Sequence, residues 1–186
     1  MFRSSVRSRL APPQISSNIR TFSLIRCLDA YLAYRAGTKD HPLSLIVTGM
    51  PGWKSQHTHE RLQQLQSEGA IRYLGCVDQH VLPILVAGAR AVLYPALYEG
   101  FGLPVLEAMQ CGIATMISRE ASMVEICGDP SLLVNAIDTE ETTNAIASLA
   151  NQPENIALLV SKGLEHAKEF SWDRCANQTL RAYQAA

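Results

Sequence analysis

Short, largely apolar runs alternate with longer amphipathic stretches along this chain of 186 residues. Runs of the first kind, which predict buried strands, occupy residues 43–48, 70–74, 91–94, 113–117 and 132–134. Before the first of these runs, apolar residues recur at helical spacing at Phe22, Ile25, Leu28 and Leu32, and helical spacing returns between later runs. Strands that alternate with helices favour a parallel sheet with helices on both faces, so the pattern predicts an α/β domain.

The sharpest local pattern follows the predicted strand at 91–94. A turn with two glycines, residues 99–103, precedes Pro104, and proline suits the start of a helix, where its missing N–H would be unpaired anyway. Gly112 lies where the cap at the end of that helix is expected. A glycine-rich turn before a helix presents backbone N–H groups and the positive end of the helix dipole, which together suit a phosphate.

Two carboxylates flank this predicted anion site. Glu99 lies on the turn and Glu107 lies in the helix that follows. Carboxylates do not bind an anion, but they accept hydrogen bonds from the hydroxyls of a sugar or a ribose. Ligands of parallel α/β sheets bind at the carboxyl ends of the strands, so the position of this turn agrees with its chemistry.

Three further positions carry expectations about helix ends. Asp78 is a plausible N-cap for a helix that contains Val81 and Leu85. Asp138 and Glu141 have the spacing of a capping box. Trp172 is interpreted as an apolar anchor for the last helix rather than as a platform for sugar stacking.

Composition excludes several classes of function. The net charge of −1, from 16 basic and 17 acidic residues, predicts no general attraction to nucleic acid or to anionic membranes. The five cysteines lack C-x-x-C spacing and are interpreted as buried, reduced residues. His57 and His59 are interpreted as part of a solvated helix face and not as metal ligands. No apolar run reaches the roughly 18 residues of a membrane span.

Residues 1–17 form an atypical segment rich in arginine and serine, and residues 18–186 are predicted to form the domain itself. Composition allows a mitochondrial transit peptide. The favoured interpretation is a truncated or out-of-frame beginning, in which Val6 and Leu10 are the remnants of a first strand. A sheet without that central strand is expected to have low stability.

The stretch from Glu99 to Glu107 resembles the E-x7-E nucleotide-sugar motif of retaining GT-B glycosyltransferases of family 4, the glycosyl transferases group 1. The resemblance extends from about Asn18 to the C-terminus and includes residues that flank the motif: Pro95, Tyr98, Ala108, Met109 and Gly112. It implies a Rossmann-like parallel sheet, the C-terminal, donor-binding half of a GT-B enzyme.

The resemblance also implies roles for particular residues. Glu99 would be the catalytic-site carboxylate that contacts hydroxyls of the donor sugar, and Glu107 would bind the ribose. The backbone of residues 100–103 would contact the sugar and the diphosphate, and the segment around Tyr73 would lie beside the base. The complete set of donor-binding residues expected on this basis is Gly49, Tyr73, Leu74, Val77, Gly100, Phe101, Gly102, Leu103, Pro104 and Glu107.

The implied reaction moves a sugar, with mannose or a similar hexose as the candidate, from a nucleotide-diphosphate sugar to a glycan or lipid-linked acceptor. It proceeds with retention and needs no metal or other cofactor. The setting would be polysaccharide or lipopolysaccharide biosynthesis, in the cytoplasm or at the inner face of the membrane. Gly52 and Trp53 resemble sequences of mannosyl- and rhamnosyl-type members.

Two departures from the family pattern leave an alternative open. Ser16 and Ser17 stand where the family usually has an Arg and a Lys before the Asn of its first loop, here Asn18. The resemblance also implies that the acceptor-binding N-terminal domain lies outside this sequence, since a complete enzyme is expected to have about twice this length. The alternative function is therefore a catalytically inactive remnant that binds nucleotide sugars.

Overall fold

The computed structural model describes residues 14–17, 22–49, 56–97, 99–119 and 122–185. The strands in this part of the chain are β1 (Gln14–Ser17), β2 (Ser44–Thr48), β3 (Arg72–Gly75), β4 (Ala89–Tyr94), β5 (Ala114–Ser118) and β6 (Leu132–Val134). The helices are α1 (Phe22–Gly37), α2 (Gln56–Ser67), α3 (Leu82–Ala87), α4 (Leu103–Gln110), α5 (Ser122–Cys127), α6 (Thr139–Asn151), α7 (Pro153–Ala167) and α8 (Trp172–Gln184).

The strands form one parallel sheet in the order β3-β2-β1-β4-β5-β6. This order confirms the predicted alternation of strands and helices. Two neighbouring parallel strands can be joined only by a connection that crosses a face of the sheet, and here helices form those connections. The chain builds outward from β1 to β3 on one side and from β4 to β6 on the other. Such a reversal of strand order opens a crevice at the carboxyl ends of β1 and β4.

The central strand is β1, and its sequence is more polar than a central strand is expected to be. Ser16 pairs with Ile46 of β2 and with Val92 of β4, so the sheet is continuous at its centre. The expectation of a missing first strand is therefore wrong, because main-chain pairing to two neighbours does not require an apolar sequence. Ser17 ends this strand rather than lying on a loop.

Several positions discussed above lie outside the described residues. They are Val6, Leu10, Asn18, Gly52, Trp53 and Tyr98. The domain boundary drawn between residues 17 and 18 stays a prediction, although β1 lies on its N-terminal side.

The core lies on both faces of the sheet, and β4 shows how the sequence divides between them. Leu93 contributes to the larger cluster, in which α1 packs against α6, whereas Tyr94 contributes to the cluster beneath α4 and α5. Successive strand residues point to opposite faces, so the continuous apolar run at 91–94 supplies both clusters. On the second face α7 packs against α4, and a Cβ on Gly163 would lie 3.1 Å from Met109 Cγ.

The predicted helix caps are only partly confirmed. Asp138 caps α6 as expected, because its Oδ1 accepts from the Glu141 N–H at 2.9 Å. The reciprocal bond of a capping box is replaced, since the Glu141 carboxylate accepts from the Asn135 N–H and pairs with Arg119. Asp78 is not the N-cap of α3: its Oδ1 accepts from the His80 N–H at 2.7 Å, and the helix begins four residues later.

The interpretation of Trp172 as an anchor is wrong. It is the first residue of α8 and is 79% exposed, and no residue of α8 is buried. The helix begins here for a local reason, because the Ser171 side chain accepts from the Arg174 N–H. In the described part of the chain, no helix is both long enough and apolar enough to span a bilayer.

Candidate functional site

The turn between β4 and α4 depends on Gly102. This residue is the N-cap of α4 and has φ 83° and ψ 37°, the left-handed region that favours glycine. A Cβ here would also lie 2.8 Å from Met123 Sδ, so a side chain at this position would both strain the backbone and displace the end of Met123. Leu103 and Pro104 then form the first helical positions, close to the predicted start.

The end of α4 fixes the helix in register with the sheet. The Gly112 N–H donates to the Met109 carbonyl at 2.9 Å, and the Ile113 N–H donates to the Ala108 carbonyl at 3.0 Å. With Gly112 at φ 69°, these are the two bonds of a Schellman motif, which confirms the predicted cap. Glycines in the left-handed conformation therefore define both ends of α4, and its N-terminus lies at the carboxyl edge of the sheet.

Glu99 is half-buried beside the end of β4. The Tyr94 hydroxyl donates to Glu99 Oε2 at 2.9 Å. The intervening loop is tied to the sheet, because the Ala96 N–H donates to the Tyr94 carbonyl at 2.9 Å and the buried Ser118 hydroxyl donates to the Ala96 carbonyl. The first motif carboxylate therefore lies on a supported loop at the carboxyl end of a central strand.

Glu107 is exposed, one turn into α4, where it faces a groove of about 450 Å³. One wall consists of α4 and the turn before it, with Phe101 and Leu103 partly exposed. The other wall is the start of α8 and the segment before it, and Phe170 contacts Phe101 edge to face at 6.1 Å between ring centroids. Glu107 thus projects into open space beside the helix N-terminus.

A second group of predicted residues lies where β2 and β3 end. The Tyr73 hydroxyl donates to the Gly49 carbonyl at 3.2 Å, and the Gly49 N–H donates to the Gly75 carbonyl at 2.8 Å. Leu74 is exposed and Val77 is half-buried, so both are accessible to a ligand at this edge. The structure therefore brings Gly49, Tyr73 and their neighbours together at this edge, and their role in binding the base stays a prediction.

The two groups share one edge of the sheet without contacting each other directly. Three inter-strand steps separate β3 from β4, and at about 4.8 Å per step their ends lie about 14 Å apart. Both groups occupy carboxyl ends, because every pairing in the sheet is parallel. A ligand that touched both would have to be extended and would cross the ends of β2 and β1.

The interpretation of the two histidines needs correction in one respect. His57 is exposed, but the His59 ring packs edge-on against Tyr73 with centroids 5.8 Å apart, so it supports the second group. Its Nε2 lies 2.9 Å from Gln63 Nε2. Within the described ranges, no three His, Cys, Asp or Glu side chains form a group that could hold a metal ion.

The cysteines differ from one another more than their sequence pattern indicated. Cys27 and Cys127 are buried as expected, and burial raises the pKa of each thiol to about 12. Cys76 and Cys175 are exposed, contrary to expectation. Cys111, at the end of α4, is half-buried, and its pKa is raised by burial and then by the negative charge of Glu107. A raised pKa argues against Cys111 as a nucleophile.

This coupling predicts a pH profile for the alkylation of Cys111. Because its pKa lies above the usual range of a thiol, the thiolate is scarce near neutral pH and the alkylation rate should keep rising through the alkaline range. Glu107→Gln removes the negative charge and should shift the profile to lower pH. Iodoacetamide labelling followed by peptide mass spectrometry measures both, with exposed Cys76 as the internal control. Identical Cys111 profiles in the two proteins would contradict the electrostatic effect of Glu107 on this thiol.

Sequence reasoning missed two features of the site. Tyr94 was interpreted only as the end of a strand. A tyrosine at the last position of an apolar strand can place its hydroxyl at the carboxyl edge of the sheet, where ligands bind. The wall formed by Phe170 and α8 had no local signal, because it lies more than sixty residues from the motif in sequence.

Comparison with known proteins gives the family. The model of a family described as glycosyl transferases group 1 matches residues 21–152. O-antigen chain mannosyltransferase B of Escherichia coli is 39% identical over 140 residues, which cover 75% of this chain and 37% of that protein. MMP alpha-(1->4)-mannosyltransferase of Mycolicibacterium hassiacum is 36% identical over 133 residues, which cover 69% of this chain and 32% of that protein. The chain thus spans about a third of the length of these relatives.

Solved structures share the fold. A crystal structure of HepE from Anabaena, in complex with UDP and glucose, superposes with a TM-score of 0.79 and 20% identity over 98% of this chain and 52% of that one. Sucrose-phosphate synthase from Thermosynechococcus elongatus gives a TM-score of 0.78 and 22% identity over 97% of this chain and 47% of that one. The match of the family model to most of the chain shows that this protein belongs to the glycosyl transferases group 1, and its parallel sheet flanked by helices is that of the GT-B fold.

Proposed function

We propose that this chain is the donor-binding domain of a glycosyltransferase and binds a nucleotide-diphosphate sugar at the carboxyl edge of its sheet. The observation that carries the proposal is the turn from Glu99 to Gly102, which leads into the N-terminus of α4 at the end of a central strand. Gly102 contributes no side chain at the N-cap, so an external acceptor can approach the Leu103 N–H, the first of the helix. Pro104 has no N–H, and the N–H groups of Val105 and Leu106 donate to the Gly102 carbonyl.

Each part of the donor has a matching group along this edge. The diphosphate would accept from backbone N–H groups of residues 100–103, and the ribose hydroxyls would donate to Glu107. The sugar hydroxyls would donate to Glu99, which is held beside the end of β4. The base would lie toward Tyr73 and Leu74, whose separation of about 14 Å from the motif suits an extended nucleotide sugar.

The proposed reaction transfers mannose or a similar hexose to a glycan or lipid-linked acceptor with retention. Two similar relatives are mannosyltransferases by name, and the name of one refers to the O-antigen chain, which supports this choice of sugar and setting. The donor's own phosphate would assist the incoming hydroxyl, so the reaction needs no metal or other cofactor. The acceptor would bind mainly to the part of the relatives that this chain does not match.

One observation favours the alternative of a non-catalytic remnant that binds the donor. Ser16 and Ser17, at the end of β1, stand where the family usually has an Arg and a Lys before the Asn of its first loop. Those cations would neutralise the charge that develops on the leaving diphosphate, and a single lost electrostatic contact of this kind costs about 3–4 kcal/mol of barrier. Donor binding without transfer to any acceptor supplied would support this alternative.

The proposal is tested by calorimetric titration with UDP, GDP, UDP-glucose and GDP-mannose. We expect one saturable site that prefers a nucleotide sugar over the corresponding free diphosphate. Glu99→Ala should remove that preference and leave the affinity for the free diphosphate almost unchanged, because Glu99 is assigned to the sugar alone. Absence of binding across the panel would contradict the proposal, and an equal loss for both ligands would contradict the role of Glu99.

A further inference from the structure

Tyr94 combines a buried ring with a hydroxyl at the proposed sugar site. It is the last residue of β4 and is 6% exposed, and its hydroxyl donates to Glu99 Oε2 at 2.9 Å. A hydrogen bond from a neutral donor to a charged acceptor is stronger than one between neutral groups. This contact therefore constrains the orientation of the first motif carboxylate.

The core fixes the position of the donor. The Tyr94 ring belongs to the cluster beneath α4 and α5, which includes Val105, Met109 and Ile117. A tyrosine has only two side-chain torsions, so a ring packed in this way holds its hydroxyl in place at low entropic cost. The Tyr94 carbonyl also accepts from the Ala96 N–H at 2.9 Å, which ties the loop that carries Glu99 to the same residue.

We propose that Tyr94 is a positioning residue for Glu99 and thereby sets the preference for a nucleotide sugar over the free nucleoside diphosphate. A carboxylate offers about four lone-pair positions, and the phenol uses one of them on Oε2. This bond holds the carboxylate in one plane and so orients it relative to the hydroxyls of the sugar. The inference rests on the proposed function, because it gives Tyr94 a purpose only if Glu99 accepts from a sugar.

A purely structural role for Tyr94 makes a different prediction. If the phenol served only to pack the core, its loss would weaken the whole site, and the effect would not depend on Glu99. If it acts through Glu99, its effect should disappear once that carboxylate is absent, because coupled residues give non-additive changes. A double-mutant cycle separates the two roles.

The cycle compares the full chain with Tyr94→Phe, Glu99→Ala and the double variant, titrated calorimetrically with GDP-mannose and GDP, and with UDP-glucose and UDP. Tyr94→Phe should lower the affinity for the nucleotide sugar about three- to tenfold, because the Glu99 carboxylate is retained and loses only the bond that orients it, and it should leave the diphosphate unaffected. In the Glu99→Ala background it should have no further effect. The matched control is Tyr34→Phe, which removes a buried hydroxyl that accepts from the Leu43 N–H at 3.2 Å, away from the motif.

The outcomes distinguish this inference from the proposed function. If Glu99→Ala removes the sugar preference but Tyr94→Phe retains it, Tyr94 does not position Glu99 and the proposed function stands. Equal losses from Tyr94→Phe in both backgrounds, or a loss for the diphosphate matching that for the sugar, would also overturn the inference. A wild-type chain without any sugar preference would overturn the proposed role of Glu99 and this inference together.

Discussion

Replacing Gly102 by alanine is expected to lower the melting temperature by about 4–12 °C and to abolish donor binding. The backbone at φ 83° costs an alanine about 1–2 kcal/mol. The new Cβ would also lie 2.8 Å from the sulfur of Met123, which is 1% exposed and therefore has little room to move. Together these effects should destabilise the fold by about 2–3 kcal/mol, and for a domain of this size each kcal/mol lowers the melting temperature by about 2–4 °C.

Gly100→Ala is the matched control for this prediction. Gly100 lies two residues earlier in the same turn, has no positive φ, and has no atom within 4 Å of the position of a Cβ. Its replacement should change the free energy of unfolding by no more than about 0.5 kcal/mol. A thermal melt of the two variants by circular dichroism compares them directly. Equal stability of the two would mean that the left-handed N-cap is not what fixes this turn.

Glu107→Ala is expected to weaken the binding of nucleoside diphosphates and nucleotide sugars alike. Two ribose hydroxyls would lose a charged acceptor, and hydrogen bonds to charged groups are worth about 1.5–3 kcal/mol, or about 10- to 150-fold in affinity. The side chain is exposed in the groove, so its removal should not change the melting temperature appreciably. Calorimetry with UDP and GDP measures the effect without involving the sugar.

Two controls make the Glu107 result specific. Glu154→Ala makes the same change of net charge at an exposed position in the first turn of α7, and it should leave affinity unchanged. Glu107→Gln retains an acceptor without the charge and should give an intermediate loss. Retention of full diphosphate affinity in Glu107→Ala would contradict the assignment of the ribose to this residue.

The fold could be read from the sequence where a pattern is local. The run at 132–134 is β6 as predicted, and the strands at 43–48 and 91–94 are correct to within a few residues, because buried parallel strands are continuous apolar runs. The central strand β1 escaped prediction, because backbone pairing to β2 and β4 establishes it and its sequence contains no continuous apolar run. Trp172 was misjudged because an amphipathic helix predicts an apolar face without saying what covers it.

The residues of the candidate site likewise fall into those that a local sequence pattern predicts and those that only the structure shows. Glu99, Gly102 and Glu107 were found because their spacing along one turn and one helix is itself the signal. The bond from Tyr94 to Glu99 and the packing of His59 on Tyr73 depend on how side chains orient in three dimensions. Neither contact has a sequence pattern of its own, so the supporting roles of Tyr94 and His59 could not be predicted from the sequence.

The proposed function requires that the edge from Tyr73 to Glu107 bind a nucleotide-diphosphate sugar. A crystal structure of the chain with GDP-mannose or UDP-glucose would show the ligand's position. We expect the diphosphate within hydrogen-bond distance of backbone N–H groups of residues 100–103, the ribose hydroxyls on Glu107 and the sugar hydroxyls on Glu99. A ligand bound away from the turn before α4, or one whose sugar and ribose contact neither carboxylate, would contradict it.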